Sequence, residues 1–264
     1  MTGLMEAREG RQLPSPSREW AYFFDLDGTL VELASKPWGV KADTELRELI
    51  ASLAESTQGA VAVITGRPIA DIDRLFPDIR LPVAGQHGVE RRTITGELRR
   101  HLFPAELLDA ARVTLLDVER RHPELLLEDK GLSLALHYRQ APRLASYAHR
   151  MMHRLRDDLG TAFCVQTGKR VVELKPAGRD KGIAIREFMD EVPFSGRRPV
   201  FIGDDITDED GFEVVNAYGG ISIKVGGGTT IARRQLPNVK AVRAWLSHEA
   251  VHISTYLNGS EIAT

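Results

Sequence analysis

The sequence predicts an α/β fold: a parallel-sheet core interrupted by an inserted α/β module. Three observations carry this prediction. Over residues 20–96, short apolar runs alternate with segments of helical period, the rhythm of strands joined by crossover helices. After Glu97 that rhythm gives way to a different order of helices and strands. From about residue 173 it returns. The chain has 264 residues, enough to bury a substantial core without disulfide or metal staples.

Residues 1–18 are polar and include Pro14, Ser15, Pro16 and Ser17. They read as a mobile arm, and without an apolar h-region no secretory signal is expected. AYFFDLDGTL is aromatic-rich and reads as a buried strand ending in a loop. TELRELIASLAES carries apolar residues at helical spacing, with Asp43 or Thr44 as N-cap. GAVAVITGRP is a second buried strand, and Pro68 suits the first turn of the helix IADIDRLF. LPVAGQHGVE reads as a third strand and turn.

Within the module, residues 105–121 form an amphipathic helix on Leu107, Leu108, Ala111, Leu115 and Val118. LLLED and LSLALHYR read as strands. A helix spans 144–159, with Gly160 placed to cap it. FCVQTGKRVVEL reads as a hairpin turning at Thr167-Gly168. The core then resumes with helix DKGIAIREFMD, strand RPVFIGDD, helix DEDGFEVVNAYG and strand ISIKVG. AVRAWLSHEA closes it as a helix. The expected division is an arm at 1–18, a discontinuous Rossmann-like core at 19–96 and 173–264, and a cap at 97–172.

Lys+Arg number 35 and Asp+Glu 37, for a net charge of -2. That balance argues against a nucleic-acid binder. The single cysteine, Cys164, excludes an intramolecular disulfide and a cysteine-based zinc cluster. It fits a reducing, cytoplasmic compartment. No run reaches the ~20 apolar residues that cross a bilayer. The charge is uneven: residues 97–172 hold 13 Lys+Arg against 10 Asp+Glu. The cap is mildly basic and the core acidic, which suits an anionic small molecule above and a cation below. The chain is expected to be a monomer with a small-molecule substrate.

Four segments could carry chemistry. Asp25-Leu26-Asp27-Gly28-Thr29-Leu30 closes a strand, so both aspartates can enter the crevice outside its carboxyl edge. Clustered carboxylates repel unless a cation is present, and Mg2+ prefers such hard oxygens. A carboxylate can also attack phosphorus. Turn-capping aspartates are the alternative reading. Gly203-Asp204-Asp205 opens a second acidic strand end, with six acids and no base over 203–213. Glu209, Asp210 and Glu213 fit a helix N-terminus, whereas Asp204 and Asp208 fit a metal site better. Thr65-Gly66-Arg67 places a hydroxyl before a helix N-terminus, a phosphate-binding arrangement. Lys181 opens a helix and could neutralise a phosphate. His149 and His153 have metal-like spacing but sit on a solvated helix face. Gly226-Gly227-Gly228 reads as a turn, and Cys164 as a small buried hydrophobe.

In this order on this scaffold, the four segments resemble the signature motifs of the haloacid dehalogenase superfamily, with the module in the place of a type-2 cap. GQHGVE, LEDKGLSLALHYR, KRVVELKP, DKGIAI and GDDITDEDGF further resemble the trehalose-6-phosphate phosphatase family, over about residues 20–247. The resemblance implies an Mg2+-dependent phosphatase that acts on trehalose 6-phosphate through an aspartyl phosphate. Asp25 would be the nucleophile and a metal ligand. Asp27 would be the acid/base, its carbonyl also on the metal. Thr65 and Lys181 would hold phosphoryl oxygens, with Gly66, Arg67 and His87 beside the substrate. Asp204 and Asp208 would complete the metal site. Glu128, Lys130, Arg139, Lys169 and Glu173 would grip sugar hydroxyls. Other sugar-phosphate phosphatases and a non-catalytic sensor are the alternatives. The sensor is disfavoured because Asp25, Asp27 and Lys181 are all present.

Overall fold

Alternation along β1 (Trp20–Phe24) sends Tyr22 and Phe24 to one face and Ala21 and Phe23 to the other, and both faces are buried. A strand covered on both sides belongs at the centre of a parallel sheet. The computed structural model describes residues 13–34 and 37–247, and β1 is central there. On one side of β1 lie β2 (Val61–Ile64) and β3 (Val83–Gly85). On the other lie β10 (Arg198–Gly203), β11 (Ile221–Val225) and β12 (Arg234–Leu236). All of these pair in parallel.

Helices α1 (Thr44–Ser56) and α2 (Ile69–Leu75), with a helix over 239–247, cover the Tyr22 face. Helices α5 (Lys181–Met189) and α6 (Glu209–Ala217) cover the Phe23 face. Asp43 caps α1 by accepting the Leu46 N–H at 2.8 Å. The expected closing helix is seen as far as 247, and its last residues lie outside the described ones.

Two further strands extend this sheet antiparallel: β4 (Glu90–Arg92) and β5 (Leu98–Arg100). Their charged sequences, ERR and LRR, hide the strand pattern. Arg91 and Arg92 are nonetheless buried. Arg91 pairs with Glu191 at 2.7 Å and Arg92 with Asp73 at 2.6 Å.

The inserted module is a four-stranded antiparallel sheet in the order β6 (Leu126–Asp129), β7 (Leu134–His137), β9 (Val171–Pro176), β8 (Phe163–Gly168). Helices α3 (Leu107–Arg121) and α4 (Ala145–Leu159) pack on one face. Period two then divides the strands. Leu134, Leu136, Val172 and Leu174 enter that apolar core, so His137 and Glu173 take the opposite face, toward the first sheet.

Three expectations are corrected. The hairpin turns at Lys169-Arg170, because Gly168 pairs with Val171 and Arg170 takes the left-handed conformation (φ 65°). The first sheet runs on to Arg100 and the second to Pro176, past the expected limits of 96 and 172. Within residues 13–18, expected in the mobile arm, Leu13 meets the core, Pro16 is buried and Pro14 accepts the Trp245 indole N–H at 2.9 Å. The rest of that arm lies outside the described residues. Among the described residues, no helix is long and apolar enough to cross a membrane.

Candidate active site

The carboxyl ends of β1, β2 and β10 converge, and each delivers one acidic or hydroxylic group. Asp25 continues β1, its N–H donating to the Ile202 carbonyl at 2.9 Å. Thr65 follows β2, held through its N–H to the Ala84 carbonyl at 2.9 Å. Lys181 is the first residue of α5, whose N-cap Asp180 accepts the Ile183 N–H at 2.7 Å. This fixes the helix start, so the Lys181 side chain reaches the β1 end.

Two glycines make the convergence possible. A Cβ at Gly28 would come within 2.2 Å of an Asp204 carboxylate oxygen, and its φ is +78°. A Cβ at Gly203 would lie 2.3 Å from Asp208 Cγ. Asp208 folds back beneath that glycine, where its Oδ2 accepts the Asp205 N–H at 2.8 Å.

Asp25, Asp204 and Asp208 each place a carboxylate oxygen within 4.8 Å of the others, and all three are buried. Lys181 Nζ donates to Asp25 Oδ1 at 2.9 Å and to Asp208 Oδ1 at 2.7 Å. Burial pushes the Asp25 carboxyl well above its ordinary pKa, against the pull of Lys181, and Asp208 and Asp204 add to the rise. Burial alone would lower the Lys181 pKa, but the two carboxylates outweigh it and hold the ammonium charged. Lys181 on Asp25 and Asp208, and Lys169 on Asp204, offset part of the charge of the three carboxylates. An all-oxygen donor set of this kind fits Mg2+. No histidine joins this cluster among the described residues.

The Asp27 carboxylate turns away from that trio to Arg67. Nε donates to Oδ2 at 2.6 Å and the second terminal nitrogen to Oδ1 at 2.8 Å. Arg67 also approaches Asp71 at 3.5 Å.

Every sequence-predicted site residue except Asp208 lines one cavity between core and cap. Asp208 sits beneath it, fully buried. The cap residues pair across strands. Glu128 and Lys130 do not form a local pair: Lys130 Nζ donates to Glu173 at 2.8 Å, and Glu128 meets His137 Nε2 at 2.7 Å. The register of β6, β7 and β9 decides this, since Glu128 and Glu173 both oppose Ala135. Lys169 and Glu173 do not share a strand face. Lys169 lies in the hairpin turn, where its ammonium contacts Asp204 and its N–H donates to Asp205 at 3.2 Å. Arg139 reaches the Lys169 carbonyl at 3.3 Å.

Burial would raise the Glu173 pKa, but Lys130 and His87 outweigh it and keep the carboxylate ionised well below its usual range. Burial lowers the His87 pKa to about 4, outweighing Glu173 beside it, so the ring is neutral near pH 7. Cys164 is half-buried rather than buried. Gln86, Ser133, His137 and Gln166 join the site without having been singled out. The alternation LALH offered a signal for His137, since Leu134 and Leu136 turn to the cap core and leave His137 opposite. Gln86 and Ser133 carried none, because their contacts cross between sheets.

The chain matches the family model described as trehalose-phosphatase over residues 23–237. A trehalose-6-phosphate phosphatase of Escherichia coli (strain K12) is 43% identical over 235 residues, which span 89% of this chain and 88% of that protein. A probable trehalose-phosphate phosphatase of Sinorhizobium fredii is 38% identical, over 78% of each chain. The C-terminal domain of a C. albicans trehalose-6-phosphate phosphatase superposes with a TM-score of 0.78 at 21% identity, covering 86% of this chain and 91% of that one. At that identity the likeness concerns the fold, which phosphatases of the haloacid dehalogenase superfamily share.

Proposed function

The chain belongs to the trehalose-phosphatase family, and from that premise we propose that it hydrolyses trehalose 6-phosphate to trehalose and phosphate. One arrangement carries the reading: a single cavity has Asp25 and Lys181 at its core end and the Glu173–Lys130 pair at its cap end. The first pair suits a phosphoryl group, and the second suits the hydroxyls of a sugar.

Asp25 attacks phosphorus in line. The bond from phosphorus to the sugar oxygen breaks, and Asp27, in its acid form in this half of the cycle, delivers its proton to that oxygen. Asp27 then takes a proton from water, which attacks the aspartyl phosphate and frees phosphate and Asp25. The Lys181 ammonium and the Thr65 hydroxyl hold the non-bridging oxygens of the transferring phosphoryl group. Splitting hydrolysis into two displacements lets one carboxylate serve as acid and then as base. Arg67 orients Asp27 through both of its oxygens.

Asp25, Asp204 and Asp208, with the Asp27 carbonyl, would hold Mg2+. When bound, it supplies positive charge that offsets the carboxylates and the transferring phosphoryl group. Glu128, Lys130, Arg139, Lys169 and Glu173 face the sugar. A phosphate-release panel tests the reading, with trehalose 6-phosphate, sucrose 6-phosphate, glucose 6-phosphate and an aryl phosphate, each with and without Mg2+. Trehalose 6-phosphate should lead in kcat/KM. Equal rates on all four would remove the sugar assignment.

A further inference from the structure

Gln86 and His87 take no part in the two displacements, yet both are buried in the left-handed region, with φ of 48° and 57°. Neither is glycine. Non-glycine residues held there are strained and persist where their surroundings over-determine them. Here the surroundings come from both sheets.

On the core side, the Gln86 N–H donates to the Arg67 carbonyl and the His87 N–H to the Thr65 carbonyl, both at 2.9 Å. The turn is therefore clamped to the loop that carries Thr65. The His87 ring lies over Gly66, where a Cβ would come within 2.7 Å of Nε2.

On the cap side, His87 Nε2 is 3.5 Å from Glu173 Oε2, and Nδ1 is 3.5 Å from the Gln166 amide nitrogen. Gln166 and Glu173 are register partners on β8 and β9. Gln86 Oε1 lies 3.2 Å from Ser133 Oγ, which donates to Glu173 Oε1 at 2.6 Å. Two side chains of one strained core turn thus meet a single cap carboxylate and its neighbours.

We propose that the Gln86–His87 turn is the seat on which the cap closes, and that His87 is a positioning residue acting through Glu173 to align the sugar pocket with the phosphoryl site. This rests on the trehalose 6-phosphate reading above. A neutral ring fits the geometry: Nε2–H donates to Glu173, while Nδ1 accepts from Gln166. Glycine at either position would relieve the backbone and remove one prong of the seat.

The test compares His87→Ala and His87→Gln on trehalose 6-phosphate and on an aryl phosphate. His87→Ala should lower the ratio of the two kcat/KM values at least ~10-fold, a loss worth about 1.4 kcal/mol, and mainly through KM for the sugar phosphate. His87→Gln, whose amide N–H can stand in for Nε2–H, should recover most of that ratio. Equal losses on both substrates would overturn the proposal, since the ring would then serve the Thr65 loop alone. So would a Gln variant as impaired as Ala. If His87→Ala does not fold, Ser133→Ala removes the second prong, and an unchanged ratio there overturns the seat. Hydrogen exchange over 163–176, without substrate, reads the seat independently of the substrate assignment. It should quicken in the variants, and unchanged exchange overturns the seat. A wild-type enzyme inactive on trehalose 6-phosphate would instead overturn the functional reading.

Discussion

Arg67 holds both carboxylate oxygens of Asp27, at 2.6 and 2.8 Å, and so fixes the plane of the proposed acid/base. Lysine cannot reproduce this fork, because an ammonium is a point donor. Arg67→Lys should lower kcat at least ~10-fold on every substrate, within the range that acid/base catalysis contributes. Steady-state kinetics on two phosphate esters check this. A change confined to KM would place Arg67 on the substrate instead.

With Asp25 as the proposed nucleophile, Asp25→Asn should reduce phosphate release by roughly 10³-fold or more, since no other group replaces it. The fold should persist. Burial among Asp204 and Asp208 disfavours the Asp25 charge, so in EDTA the variant should melt at the wild-type temperature or above it. Calorimetry beside the phosphate assay separates the two effects.

Asp204 and Asp208 predict that Mg2+ stabilises the folded chain. At a concentration 100 times Kd the gain should be about 2.7 kcal/mol. Asp208→Asn should remove most of this rise in Tm, and excess EDTA should abolish turnover. A Tm indifferent to Mg2+ would leave the carboxylate trio without its cation.

Glu173→Gln keeps the side-chain shape but removes the charge that faces Lys130. It should weaken trehalose 6-phosphate hydrolysis at least ~10-fold more than that of an aryl phosphate, a difference of about 1.4 kcal/mol. The ratio of kcat/KM values measures this directly.

His87 predicts a pH dependence of stability. Its folded pKa, about 4, lies below the ordinary 6.5, so the unfolded chain binds the extra proton between these values. The contribution is complete above about pH 6.5 and is lost as pH falls toward 4, by roughly 3 kcal/mol in all. Glu173, held low by Lys130, adds a further loss below its ordinary 4.5. Urea unfolding at pH 7, 5.5 and 4.5 should show the decline, and His87→Gln should flatten it above pH 4.5.

The core motifs were legible because each lies where an apolar run stops. A buried strand followed abruptly by Asp, Thr or Gly-Asp-Asp marks a sheet's carboxyl edge, whichever neighbours the strand has. The Arg-rich strands β4 and β5 were not legible. In β4 the burial of Arg91 and Arg92 depends on Glu191 and Asp73, which lie elsewhere in the chain, and β5 is exposed. The cap pairings were hidden for a related reason. Lys130 is two residues from Glu128 in sequence, yet its carboxylate is Glu173, brought across by strand register.

By itself the sequence determined the α/β core, the inserted module, the identity of the acids and the hydroxyl at the strand ends, and the lysine that opens a helix. Local period and abrupt changes in polarity are properties of neighbouring residues, so they survive in one dimension. Only the tertiary structure decided which charges neutralise one another, that Lys169 turns to Asp204 while Glu173 turns to Lys130, and that a left-handed core turn meets the cap. Those outcomes depend on register and on contacts between sheets, where a shift of one residue sends a side chain to the opposite face.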